Sequence, residues 1–169
     1  MSQPDVLAAL IPIAEALDRL RIPYYIGGSI ASSAHGFARA TVDVDLVVRI
    51  APEQVPPLVE QLQDTYYIDA DAILAAIRTR APVNLIHLAT MIKVDLFVVG
   101  TNRYEQEVLR RMQPGQIDRD VPARLFPLPT PEDVVLAKLS WYERGNRISE
   151  RIRINLTNAQ EGRFCIMWT

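Results

Sequence analysis

Two aspartates, Asp43 and Asp45, are separated by a single valine in the stretch TVDVDLVV. Alternation with valine and leucine is typical of a strand, in which residues two apart point to the same face, so these carboxylates should project side by side. Like charges held that close repel each other and favour protonation unless a cation bridges them. Carboxylate oxygens suit Mg²⁺ or Mn²⁺, so the spacing predicts a divalent cation site. The alternative is a solvated pair on an edge strand.

A third carboxylate, Asp95, lies in the apolar stretch IKVDLFVV, where it shares a strand face with Lys93 and Phe97. If this strand lies beside the one that carries Asp43 and Asp45, three acidic groups converge on one face of a sheet. Such a set could hold two metal ions about 3.5–4 Å apart, which clamp the attacking and leaving oxygens of a displacement reaction.

A glycine turn, Gly27-Gly28-Ser29, separates the short apolar stretch YYI from a helix-like run. Exposed backbone N–H groups and the positive end of a helix could bind a phosphate there. Glycine permits close approach of the backbone, and the Ser29 hydroxyl can donate to a phosphate oxygen or cap the helix. The turn alone is common, but a turn followed by a D-x-D strand and a further strand aspartate is much more specific.

The elements that must position these groups alternate between helix and strand, which indicates an α/β (α+β) protein. Helices are predicted at 4–20, 29–36, 52–64, 69–80 and 102–112, and from about 131 onward. Strands are predicted at 24–28, 42–48, 84–88 and 92–99, the last two as an antiparallel pair. Pro12 is expected to kink or divide the first helix.

Length and composition fit one domain, predicted at residues 1–150, with a divergent tail at 151–169 that is irregular or used in a partner contact. The formal net charge of −2 does not favour nonspecific nucleic-acid binding as the main task. A single cysteine, Cys165, excludes an internal disulfide and a cysteine-based zinc site. With neither a signal peptide nor an apolar run of about 18 residues, a cytoplasmic protein without a membrane span is expected.

The stretch GGSIASSAHGFARATVDVDLVV resembles the signature of the DNA polymerase β-like nucleotidyltransferase superfamily. It is most similar to small prokaryotic members, the minimal nucleotidyltransferases and the AbiEii-like proteins of toxin–antitoxin and phage-defence systems. KVDLFV looks like the third-carboxylate motif of this superfamily, and TPEDVVLAKL like the helix that follows its core. The resemblance covers about residues 5–145 and implies a mixed sheet flanked by helices.

The resemblance also implies roles for individual residues. It makes Asp43, Asp45 and Asp95 metal ligands, with Asp95 also the base for the attacking hydroxyl. Gly27, Gly28 and Ser29 would bind the phosphates of a nucleoside triphosphate (NTP).

Two basic residues are further nucleotide-binding candidates in the resemblance, each with a structural alternative. Arg39, in the R-x-T before the D-x-D, could contact the triphosphate or pair with an acidic neighbour and hold the loop. Lys138 could contact phosphate, or its stem could simply cover apolar surface.

The function expected from the resemblance is metal-dependent transfer of a nucleoside monophosphate (NMP) from an NTP to a hydroxyl of a protein or RNA acceptor. A toxin–antitoxin or phage-defence setting would add a cognate protein partner. One alternative is a catalytically idle regulatory module, antitoxin-like, that acts by protein binding. Another is a nucleotidyltransferase that modifies a sugar or an antibiotic.

Overall fold

The structure is a computed structural model that describes the following residues: 3–34, 43–117, 124–144, 152–155 and 165–168. The chain forms two compact units, residues 1–134 and residues 135–169, and the boundary lies within one helix. Arg39, His35, Gly36 and the R-x-T segment are outside the described residues.

The described elements confirm the predicted alternation of helices and strands. The helices are α1 (Gln3–Arg19), α2 (Gly28–Ala34), α3 (Val55–Leu62), α4 (Ala70–Thr79), α5 (Arg103–Arg111) and α6 (Pro131–Arg144), with a 3-10 turn at Pro52–Gln54 before α3. The strands are β1 (Tyr24–Ile26), β2 (Asp43–Val48), β3 (Tyr66–Tyr67), β4 (Val83–His87), β5 (Lys93–Val98), β6 (Gln113–Gly115), β7 (Phe126–Leu128), β8 (Ile152–Asn155) and β9 (Cys165–Trp168).

Five strands of the first unit form one mixed sheet in the order β1-β2-β5-β4-β3. β2 and β5 are parallel, whereas β1–β2, β5–β4 and β4–β3 are antiparallel. The sheet confirms the mixed sheet that the resemblance implied, and β4 with β5 confirms the predicted antiparallel pair. The two strands that carry the candidate carboxylates, β2 and β5, are therefore adjacent interior strands of the sheet.

One face of the sheet is covered by helices and forms the core. Alternate residues of β2 and β5 are fully buried on this face, and they pack in one cluster with side chains of α1, α3 and α4. Tyr66 of β3 also lies in this core, where its hydroxyl donates a hydrogen bond to the carbonyl oxygen of Ala9 in α1 at 2.6 Å. The α1 helix runs continuously from Gln3 to Arg19 through Pro12, so the predicted division at this proline does not occur.

Local sequence explains where α4 begins and ends. The Asp69 side chain accepts hydrogen bonds from the backbone N–H groups of Asp71 (2.8 Å) and Ala72 (3.4 Å), which caps the first turn of the helix. At the other end Arg80 adopts a left-handed conformation (φ 61°), which closes the helix.

A partly buried ion pair, between the exposed Arg111 and the buried Asp133, joins α5 to the start of α6. Asp133 is 1% exposed and accepts two hydrogen bonds from the Arg111 guanidinium, one of them from Nε to Oδ2 at 2.8 Å. Thr130 caps the same turn, since its Oγ1 accepts a hydrogen bond from the backbone N–H of Asp133 at 3.3 Å. Its hydroxyl in turn donates to Oδ2 of Asp133 at 3.0 Å. Although burial opposes ionisation, the hydrogen bonds from Arg111 and Thr130 hold the pKa of Asp133 below its ordinary value.

The remaining strands form two small antiparallel sheets. β6 pairs with β7 in the first unit, and β8 pairs with β9 in the second. The tail after residue 150, expected to be irregular, therefore contains a strand pair in its described part, while its separation from a domain at 1–150 stays a prediction. None of the helices in the described ranges is both long and apolar enough to cross a membrane.

Candidate active site

The register between β2 and β5 places the three aspartates on one face of the sheet. Asp45 of β2 lies directly opposite Asp95 of β5, and Asp43 lies opposite Lys93. Neighbouring strands are about 4.8 Å apart, so paired residues on one face are in direct reach of each other. The register of β2 against β5 is thus what brings the three carboxylates close together.

Alternation along both strands separates this face from the core. In β2 and in β5 every second residue is buried, whereas the residues between them are half-buried on the opposite face. The half-buried positions are Asp43, Asp45 and Val47 in β2, and Lys93, Asp95 and Phe97 in β5. The same strands therefore build the core with one face and present charge on the other.

The glycine turn after β1 packs against the middle of this acidic face. The Gly27 N–H donates to the carbonyl oxygen of Asp45 at 2.9 Å. Gly28 has a φ of 58°, and a β-carbon on Gly28 would lie 2.7 Å from Cγ of Asp45, closer still to its Oδ2. Glycine is therefore required at 28 both for its conformation and for its proximity to the carboxylate. Ser29 follows at the start of α2 and is half-buried.

The electrostatics at Asp45 match the repulsion predicted for adjacent carboxylates. Burial, and next the negative charges of Asp95 and Asp43, raise the pKa of Asp45 to about 6, while the charge of Lys93 acts in the opposite direction. An acidic group that resists ionisation in this way gains from a nearby cation.

Lys93 supplies a cation in this structure. Its Nζ lies 3.0 Å from Oδ2 of Asp95 and 3.7 Å from Oδ2 of Asp43. The hydrogen bond to Asp95 raises the pKa of Lys93. The sequence pattern put Lys93 on this face without giving it a role, and the strand register reveals its two acidic partners.

The same carboxylates fit a divalent cation in their chemistry, although they do not form a complete coordination sphere. Within the described ranges, no three histidine, cysteine or acidic side chains are arranged as a ready metal site. Oδ1 of Asp95 is nevertheless buried and receives no hydrogen bond from the described residues. A hard oxygen without a donor, beside two further carboxylates, is the ligand type that Mg²⁺ prefers. Asp43, Asp45 and Asp95 would be the ligands.

Asn84 is a further polar residue on this face that sequence reasoning missed. It pairs with Asp95 across the antiparallel β4–β5 ladder and is exposed. Across the neighbouring strands β2, β5 and β4, the residues that lie side by side are therefore Asp45, Asp95 and Asn84. The predicted hairpin implies that a residue of the preceding strand pairs with Asp95. Identifying that residue as Asn84 requires the length of the turn between the two strands.

The two remaining candidates are the basic residues Arg39 and Lys138. Arg39 lies outside the described residues, and Lys138 lies on α6 in the second compact unit. Their contacts with nucleotide stay predictions.

No family model matches the chain, and no curated protein matches its sequence. Among solved structures, a candidate nucleotidyltransferase from Thermotoga maritima superposes with a TM-score of 0.59 at 13% identity, over 87% of this chain and 91% of that one. The solution structure of the antibiotic-resistance factor ANT(2'')-Ia superposes with a TM-score of 0.53 at 15% identity, over 82% of this chain and 73% of that one.

These similarities extend over most of the chain at low sequence identity, so they concern the fold. They agree with the mixed sheet flanked by helices that the resemblance implied. The narrower assignment to the AbiEii-like subgroup stays a prediction. The chain has the nucleotidyltransferase fold.

Proposed function

We propose that this protein is a metal-dependent nucleotidyltransferase that moves an NMP from an NTP to a hydroxyl of a protein or RNA acceptor. The observation that carries the proposal is the pairing of Asp45 with Asp95 in register, beside Asp43 and against the Gly27-Gly28 turn. Three carboxylates and a close-approach turn on one open sheet face suit a metal-bound triphosphate, and they occur in a nucleotidyltransferase fold.

In this proposal the carboxylates and the turn have different tasks. Asp43 and Asp45 hold Mg²⁺ or Mn²⁺, with Asp95 as third ligand, and the metal when bound neutralises charge on the phosphates. Gly27 and Gly28 let the phosphates approach the backbone, and the Ser29 hydroxyl donates to a phosphate oxygen. Positioning and charge stabilisation are the main requirements of this class of reaction.

The transfer itself exchanges one P–O bond for another. The acceptor hydroxyl oxygen bonds to the α-phosphorus, and the bond from that phosphorus to the bridging oxygen of the β-phosphate breaks. Pyrophosphate leaves with the electron pair, and Asp95 accepts the hydroxyl proton. Arg39 and Lys138 are included as candidate triphosphate contacts. Because NTPs and Mg²⁺ are abundant in the cytoplasm, the reaction is proposed for that compartment.

A second candidate is a catalytically idle module that acts by binding a protein partner, as an antitoxin does. The ion pairs of Lys93 with Asp95 and Asp43 favour it, since they balance the carboxylates without a metal. In that case the acidic residues would contribute to the scaffold and nucleotide would not bind.

The metal role is tested with the Asp43→Asn/Asp45→Asn double variant, which removes two charges and keeps the side-chain shape. We expect its dissociation constant for Mg²⁺–NTP, measured by calorimetry, to rise by at least about tenfold. The matched control is Glu60→Gln/Asp64→Asn, which removes two exposed charges at the end of α3 and should bind as wild type does. Equal binding by the double variant and wild type would refute the metal role.

The acceptor is identified by transfer of label from each of the four NTPs carrying a labelled α-phosphate. The reaction contains Mg²⁺, the purified protein and either the product of the neighbouring gene, total tRNA or an aminoglycoside. Label on the neighbouring protein supports a toxin–antitoxin role, and label on tRNA supports RNA modification. Label on the aminoglycoside would make an antibiotic the acceptor, while co-purification with the neighbouring protein and no label in any arm supports the regulatory module.

A further inference from the structure

Lys93 occupies the centre of the candidate site. It lies on the same face as the three aspartates, between Asp43 across the strand and Asp95 two positions along its own strand. Its ammonium nitrogen contacts both carboxylates, at 3.7 Å and 3.0 Å. The site therefore contains its own positive charge.

The contacts of Lys93 leave part of the acidic site unsatisfied. The ammonium meets one oxygen of Asp95, whereas Oδ1 of the same carboxylate is buried and receives no hydrogen bond from the described residues. Neither ion pair of Lys93 includes Asp45. One monovalent charge thus balances three carboxylates incompletely, and a divalent ion would satisfy more of their oxygens.

The Lys93 side chain can also move away from the carboxylates. Its side chain is 40% exposed, and a lysine is a point charge on a flexible four-carbon stem. An ion pair with this exposure is weak enough to be broken by a stronger cation. Neighbouring side chains therefore do not prevent the ammonium group from moving.

We propose that Lys93 is the resident counter-ion of the carboxylate site and competes with the divalent cation, which displaces it on binding. The inference rests on the proposed function, because it takes the aspartates as metal ligands. Lys93 thereby lowers the affinity of the site for metal and offsets part of the negative charge of the carboxylates without metal. The incoming metal must overcome both the ion pairs and the repulsion of a nearby ammonium.

The test is binding of Mn²⁺ alone, without nucleotide, followed by electron paramagnetic resonance. Titrations at pH 8, above the pKa of about 6 of Asp45, keep the Asp45 carboxylate ionised. We expect Lys93→Gln to bind Mn²⁺ about two- to fivefold more tightly than wild type, which is the range for loss of a partly exposed ion pair. Lys93→Arg keeps the competing charge and should bind close to wild type.

A matched control removes one positive charge elsewhere. Arg78 is exposed on α4, which packs with the helices on the core side of the sheet, so Arg78→Gln changes the net charge equally without touching the acidic face. It should leave Mn²⁺ affinity unchanged. Unchanged or weaker Mn²⁺ binding in Lys93→Gln, or equal tightening in Arg78→Gln, would overturn the proposal, as would undetectable Mn²⁺ binding in every variant.

A second readout follows Lys93 itself. The sequence contains two lysines, Lys93 and Lys138, so acylation of each can be quantified by peptide mass spectrometry. Saturating Mg²⁺ should raise the acylation rate of Lys93 at least about twofold relative to Lys138, because displacement exposes the ammonium group. A lower or unchanged rate would contradict displacement.

The two proposals fail in different ways. Tighter Mn²⁺ binding by Lys93→Gln without transfer to any acceptor would leave the counter-ion role standing and refute the transferase. Transfer by the wild-type protein, with no effect of Lys93→Gln on Mn²⁺ affinity, would support the transferase and refute the counter-ion role of Lys93.

Discussion

Gly28 lies so close to Asp45 that a β-carbon at position 28 would be 2.7 Å from the carboxyl carbon of Asp45. The neighbouring glycine differs, since a β-carbon on Gly27 would have its nearest contacts at 3.8 Å. Two adjacent glycines that look equivalent in sequence therefore have different structural requirements.

Gly28→Ala should destabilise the protein much more than Gly27→Ala. At Gly28 a methyl group must displace the Asp45 side chain and adopt a φ of 58°, so we expect a loss of about 1–3 kcal/mol in the free energy of unfolding. At Gly27 the contacts are ordinary, and the loss should stay below about 1 kcal/mol. Urea denaturation of both variants measures the difference, and equal losses would contradict this account.

Asp45→Asn should change how stability depends on pH when divalent cations are removed. The pKa of Asp45 in the folded protein is about 6, above that of an unfolded aspartate, so the folded state binds the proton more tightly. The contribution of Asp45 to stability therefore falls as pH rises from about 4 to 6 and stays low above it.

Asn at this position cannot ionise, so Asp45→Asn should be more stable than wild type at pH 7.5 by about 1 kcal/mol, after allowance for solvent screening. This difference in the free energy of unfolding between Asp45→Asn and wild type should become smaller towards pH 4.5. Denaturation at the two pH values in the presence of EDTA measures it, and a gain that does not vary with pH would refute the role of the Asp45 charge.

Arg111→Met should destabilise the first unit more than the same change at the preceding residue. Arg111 pairs with Asp133, which is buried, so its removal leaves a buried carboxylate without its cation and should cost clearly more than the loss of a surface pair. Arg110 pairs with Glu107 at the surface, and Arg110→Met should be nearly neutral. Chemical denaturation compares the free energies of unfolding of the two variants, and similar losses would show that the Arg111–Asp133 pair adds little.

Tyr66→Phe should lower the free energy of unfolding by about 1 kcal/mol, because it deletes the buried hydrogen bond to Ala9 that ties β3 to α1. The neighbouring Tyr67 is exposed and serves as control, since Tyr67→Phe should be neutral. Thermal unfolding of the pair checks this, and a neutral Tyr66→Phe would mean that the hydrogen bond makes no net contribution.

Much of the fold could be predicted because its elements carry strong periodic patterns. The alternation in VDVDLVV and KVDLFVV determines both strands and which residues face the core, and the helices at α1, α4 and α5 have apolar residues at helical spacing. The short strands β3 and β6 and the tail strands β8 and β9 were missed. They contain two to four residues each, too few for a clear period-2 signal.

The candidate site could be predicted less completely, because its details depend on strand register. The three aspartates were found by residue type, and their grouping follows from the β2–β5 pairing. The contacts of Lys93 and the position of Asn84 require knowing which residue faces which across two ladders. Local sequence does not contain that information, since register arises from the packing of the whole sheet.

The β2–β5 pairing also has a consequence for folding. Asp45 and Asp95 belong to strands that are distant in sequence, and their side of each strand is fixed by the valines and leucines buried on the other side. A slip of one residue would turn the acids inward and expose the apolar residues. A chain that misaligns these strands thus loses both its hydrophobic core and the grouping of its aspartates. Such a molecule is inactive and also exposes apolar surface. Chaperones and proteases that recognise exposed apolar surface would therefore remove it.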